Sequence, residues 1–80
     1  IPIPARVRVE DDKPARVVID RRGMSGGRVE TCAGPWRTSG AWWMEPWDRD
    51  EWDVTLSDGA TYRIFRDRRS DAWSVEGIVD

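Results

Sequence analysis

Four carboxylates crowd the stretch WDRDEWD: Asp48, Asp50, Glu51 and Asp53, with Arg49 among them. Neighbouring acids can share general acid–base work or hold divalent metals, but a two-metal site draws its ligands from separated segments around a cleft. A chain of 80 residues has little room for one. In an extended segment Asp48, Asp50 and Glu51 do not share one face either, so the run reads as a solvated or arginine-paired loop. The chain has no histidine, so neither a Ser–His–Asp nor a Cys–His nucleophile can be assembled and the usual proton shuttle and metal ligand is missing. Cys32 is the one cysteine, which rules out an internal disulfide and a zinc site of cysteine type. It is expected to be a small core or strand residue in a reducing cytosol. The stretch RRGMSGGR (21–28) lacks the spacing and the lysine of a phosphate-binding loop. No catalytic residue, metal ligand or cofactor is assigned, and the chain is expected not to be an enzyme.

Binding is the remaining class of chemistry. GPWRTSGAWW (34–43) holds three of the six tryptophans, and Trp and Arg are the side chains that dominate protein–protein hot spots. Trp36, Arg37, Trp42, Trp43 and Trp47 are the candidate partner-binding residues. Trp42 and Trp43 are adjacent, so on an extended backbone they occupy opposite faces and at least one is left outside the core. Single-stranded nucleic acid is also bound by aromatic platforms beside cations. The formal net charge of −2 and the nearby Glu45, Asp48 and Asp50 count against it, so it stands second to a protein partner. Arg37 has a second reading, as a cover for an indole face within the domain. Of the 13 basic residues all but Lys13 are arginine, which fits either codon bias in a GC-rich genome or selection for planar bidentate contacts.

The elements that must position these residues are short strands. A domain this small buries only about 60–65% of its unfolded surface, so its core must be dense and most of the indoles must be structural. ARVRVE (5–10) alternates apolar with charged residues, the signature of a half-buried strand. ARVVID (15–20) and RVETCA (28–33) continue the extended pattern, with 11–14 read as a break and RRGMSGG (21–27) as a turn. EWDVTLSDGATYRIF (51–65) reads as a hairpin. A three-residue loop, Ser57–Gly59 with Gly59 left-handed, sets Val54 against Tyr62 and Trp52 against Ile64, whereas a two-residue Asp58-Gly59 turn would set Val54 against Arg63. A four-residue loop, Arg68–Asp71, then sets Ile64 against Val75 on a last strand that shows Trp73, Val75 and Val79 on one face.

Val7, Val54, Trp52, Tyr62, Ile64, Trp73 and Val75 form the expected core. Only EPWDRDEW, where Pro46 could open a helical turn, departs from strand character. The expected fold is all-β: an antiparallel meander of about six or seven strands forming an SH3-like barrel or roll, closed to hide its edges. Residues 1–4, IPIP, are expected to be a linker into a single domain spanning 5–80. There is no apolar run near the length of a membrane span and no signal-peptide pattern. The chain opens without an initiator Met and is expected to be a cytoplasmic piece of a longer protein.

GPWRTSGAWW followed by WDRDEWDVTLSDGATYRIFRDRRSDAWSVEGIVD resembles the C-terminal end of ImuB proteins, bacterial homologues of Y-family DNA polymerases from the damage-inducible mutagenesis cassette. PARVRVEDDKPARVVID is similar to the strand pair that precedes the Trp motif there, so the likeness covers nearly all of Pro4–Asp80. The resemblance implies a non-catalytic scaffold of translesion synthesis, nucleoid-associated, whose C-terminal part contacts an ImuA-like protein, an error-prone polymerase of the replicative alpha type, or both. Clamp binding in the family uses a Gln-containing motif, and this chain has no Gln. Ala41 and Val79 stand where the family often has an acidic residue and an aromatic one.

Overall fold

Apolar residues at alternate positions draw β1 (Ile3–Glu10) against β2 (Lys13–Ile19), with Ala5 opposite Ile19 and Val7 opposite Val17. The computed structural model describes residues 2–24, 26–42 and 45–79, and for 38–42 and 45–47 the backbone alone. It continues with β3 (Gly27–Trp42), β4 (Glu45–Leu56), β5 (Thr61–Asp67) and β6 (Trp73–Ile78). Each strand is antiparallel to the next, and β6 returns to β1 through Ile3–Val75, Pro4–Ser74 and Ala5–Trp73. The meander thereby closes into a six-stranded barrel, consistent with an SH3-like barrel. Among the described residues there is no helix, and so none long and apolar enough to cross a membrane.

The barrel is filled by Val17, Ile19, Trp52, Val54, Leu56, Tyr62, Ile64 and Val75. Trp73 and Val7 are half-buried and pack against this cluster from its margin. The Trp52 and Trp73 rings lie 5.1 Å apart, tilted by 35°. The central hairpin has the longer loop: Val54 faces Tyr62 and Trp52 faces Ile64. Leu56 N donates to Ala60 O at 3.0 Å and Gly59 N to Leu56 O at 2.9 Å. Gly59 has φ +88°, a left-handed conformation that favours glycine. Ile64 faces Val75 as expected.

Several expectations need correction. Residues 3 and 4 are not linker: they pair with β6 and close the barrel, because two prolines in alternation still leave an extended backbone. The break expected at 11–14 is only two residues long. Asp11 and Asp12 have φ of +52° and +62°, a tight turn that joins Glu10 directly to Lys13. Pro14 is buried within β2, where a register shift opposite Arg8/Val9 accommodates a residue that cannot donate. EPWDRDEW forms no helical turn. It is the first part of β4, held by the ladder from Trp36–Glu51 to Trp42–Glu45. A register shift between Arg63 and Ile64 brings Ile78 opposite Tyr62, and Val79 lies beyond the end of β6.

Among the described residues β2 and β3 meet in two residue pairs, Arg16–Arg28 and Val17–Gly27. The ladder between β4 and β5 ends at Arg49–Asp67, while β3 and β4 stay paired to Trp42–Glu45. The far end of that pair is therefore a two-stranded ribbon projecting past β5.

Candidate functional site

The ribbon is rooted in a bend. The register of β3 against β4 shifts between Ala33 and Trp36, and Gly34 sits in the shift with φ +123°. A Cβ on Gly34 would lie 2.7 Å from Glu51 O, so the close approach of the two backbones requires glycine. After the bend Trp36 is opposite Glu51 and Arg37 is opposite Asp50. One residue is thus turned outward and the next toward the end of the barrel core.

Trp36 is 49% exposed. It lines a shallow concavity of about 240 Å³ with Glu51, Asp53 and Arg63. The charges around it are held in place. Arg63 grips Asp53 with two hydrogen bonds, Nε to Oδ1 at 2.8 Å and Nη2 to Oδ2 at 3.1 Å. That hydrogen bond, opposed by burial and helped by the Arg63 charge, holds the Asp53 carboxyl below its ordinary pKa of 3.8. Arg49 lies 4.3 Å over the Phe65 ring and reaches Glu51 at 3.6 Å and Glu76 at 3.3 Å. An exposed indole inside a fixed polar rim is the anatomy of a protein-contact anchor.

On the other face Asp50 is 3% exposed. It accepts from Arg37 Nε at 3.1 Å, Arg66 Nη2 at 3.4 Å and Arg68 Nη1 at 3.4 Å. Burial pushes its pKa up, but the hydrogen bond and charge of Arg37, the charge of Arg68 and the hydrogen bond from Arg66 outweigh it, and the net shift is downward. Arg66 also lies 5.5 Å from the Trp73 ring and 6.0 Å from the Trp52 ring. The guanidinium over these indoles is thus that of Arg66, while Arg37 is engaged by Asp50. Sequence reasoning missed Arg66 and Arg68, because only the pairing of β4 with β5 brings them to Asp50.

The four carboxylates of WDRDEWD lie on a strand, not a loop, and each meets an arginine: Asp48 with Arg68 at 3.3 Å, Asp50 with its three, Glu51 with Arg49, Asp53 with Arg63. Among the described residues no group of three or more His, Cys, Asp or Glu is arranged to hold a metal.

The ladder also places the remaining tryptophan positions. It runs without a shift from Trp36–Glu51 through Gly40–Trp47 to Trp42–Glu45, so positions 36, 42 and 47 fall on the same face of the ribbon. The side chains of Trp42 and Trp47, and Trp43 altogether, lie outside the described residues. Comparison of the chain with family models, with curated proteins and with solved structures finds no match.

Proposed function

We propose that the chain is a non-catalytic docking module that takes a protein partner on the outward face of the β3–β4 ribbon. The observation that carries this reading is Trp36, a half-exposed indole within a rim of charges already paired to one another. Such a rim loses little on desolvation because its hydrogen bonds survive the contact, and the indole supplies the apolar area. Positions 42 and 47 extend the same face toward the ribbon tip. Arg37, the cation that base stacking on Trp36 would need, is engaged by Asp50, which favours a protein over single-stranded DNA at this surface.

The resemblance to the C-terminal region of ImuB proteins supports a translesion-synthesis complex as the setting, in the cytoplasm beside DNA, with an ImuA-like protein or an error-prone alpha-type polymerase as the partner. The test is calorimetric titration of the chain against each purified partner. Trp36→Ala is expected to weaken binding by about 1–2 kcal/mol, roughly 5- to 30-fold, with little dependence on salt. Unchanged affinity for both partners in Trp36→Ala and in Trp47→Ala would refute the assignment of the ribbon.

A further inference from the structure

Across the barrel from β5, the ladders set arginine directly against arginine twice in succession. Arg8 on β1 is opposite Arg16 on β2, and Arg16 is opposite Arg28 on β3. Like charges placed directly across a ladder oppose the pairing. Successive opposed Cα atoms lie about 5 Å apart, so the three side chains form one short row on the outer face.

Among the described residues Arg6, Arg21 and Arg22 have no carboxylate partner, whereas Arg37, Arg49, Arg63, Arg66 and Arg68 each contact a carboxylate. In the row only the Arg8 end has one, Glu10 at 3.1 Å. Among the described residues neither Arg16 nor Arg28 has an ion-pair partner. The row borders a concavity of about 450 Å³, also lined by Lys13, Glu10 and Asp11. A second hollow beside it is lined by Arg6, Arg8, Arg16, Val7 and Val18. Among the described residues no aromatic side chain lines either hollow.

We propose that this face binds the phosphodiester backbone of a nucleic acid, with Arg8, Arg16 and Arg28 as the contacts. Guanidinium forks suit phosphate oxygens, and a ligand whose negative charges repeat along a chain neutralises the row as a single carboxylate cannot. With no ring to stack on a base, the site reads backbone rather than sequence, so single strands and duplexes both bind. The row also crosses the two-pair junction of β2 and β3. A bound polyanion therefore holds that junction together and stabilises the fold.

Fluorescence anisotropy of labelled single-stranded and duplex oligonucleotides, titrated with the chain, tests this. Three phosphate contacts predict a loss of about 15- to 20-fold in single-strand affinity between 50 and 200 mM salt. The double variant R16Q/R28Q is expected to lose at least about tenfold at the lower salt, while R16K/R28K, which keeps the charge, stays within about threefold of the parent. Thermal melting guards against misfolding: removing the opposed charges leaves the Tm of R16Q/R28Q unchanged or higher. Oligonucleotide is expected to raise the Tm of the parent chain and not that of R16Q/R28Q. The proposal is overturned by absence of binding at low salt, by equal binding of the parent and a folded R16Q/R28Q, or by polyglutamate competing as well as oligonucleotide, which would reassign the row to acidic protein segments.

Discussion

Replacing Asp50 by Asn keeps the shape of the side chain and removes the one negative charge shared by Arg37, Arg66 and Arg68. Those three guanidinium groups then face each other around a nearly buried amide, with Asp48, 3.3 Å from Arg68, left to offset part of their repulsion. Breaking a buried ion pair by removing one partner costs about 3–5 kcal/mol. Here the arginine side chains are 62%, 33% and 34% exposed, so water screens part of the loss and about 2–3 kcal/mol is the expected cost. For a chain of 80 residues that corresponds to a fall in Tm of about 10–20 °C. The assay is urea unfolding of parent and Asp50→Asn at neutral pH and in acid. The folded-state pKa of Asp50 lies below its ordinary 3.8, so the stabilisation is present above 3.8 and is lost as pH falls through the lower, folded-state value. The gap between parent and variant must therefore close in acid. A neutral-pH cost under about 1 kcal/mol, or a gap that persists once Asp50 is protonated, would refute the reasoning.

Other outcomes follow from single residues. Gly34→Ala is expected to destabilise the fold by more than about 1 kcal/mol, because φ is +123° and the added methyl meets Glu51 O; chemical denaturation measures it. Trp52→Ala, at a site 2% exposed, should cost about 3–5 kcal/mol, whereas Trp36→Ala, at 49%, should cost under about 1 kcal/mol in the same experiment. Tyr62 is the one tyrosine, so near-ultraviolet titration reads it alone. Burial, then the charge of Asp58, then the hydrogen bond to Asp58 Oδ2 at 3.2 Å raise its pKa above 10.0. Its midpoint should stand above 10.0, Asp58→Asn should lower it part of the way, and stability should fall as pH climbs through that range.

The parts of the fold legible in the sequence were those set by nearby residues. The hairpin register around Ser57–Gly59 followed from asking which loop length puts Trp52, Val54, Tyr62 and Ile64 on one face, and the Ile64–Val75 pairing followed from the next loop in the same way. The Asp11–Asp12 turn was hidden because neither residue is glycine and a proline follows closely, so a tight reversal looked like a longer break. The acids of β4 looked like a loop because the arginine partners of Asp48, Asp50 and Asp53 sit on β3, β5 and the segment after it, at separations that local periodicity does not reach. Arg37 was legible as a residue with a task, but its partner Asp50 was not. Arg16 is the clearest case: in sequence it is one more charge on a half-buried strand, and only the neighbours on both sides make it unusual.

The narrow contact of β2 with β3 gives this cylinder a latch. If those two residue pairs let go, every other ladder can stay intact and the wall unrolls into a flat sheet ordered β2, β1, β6, β5, β4, β3. Such an opening is an unrolling rather than a melting, and it would bare Val17 and Leu56, two of the most deeply enclosed side chains, along a single slit.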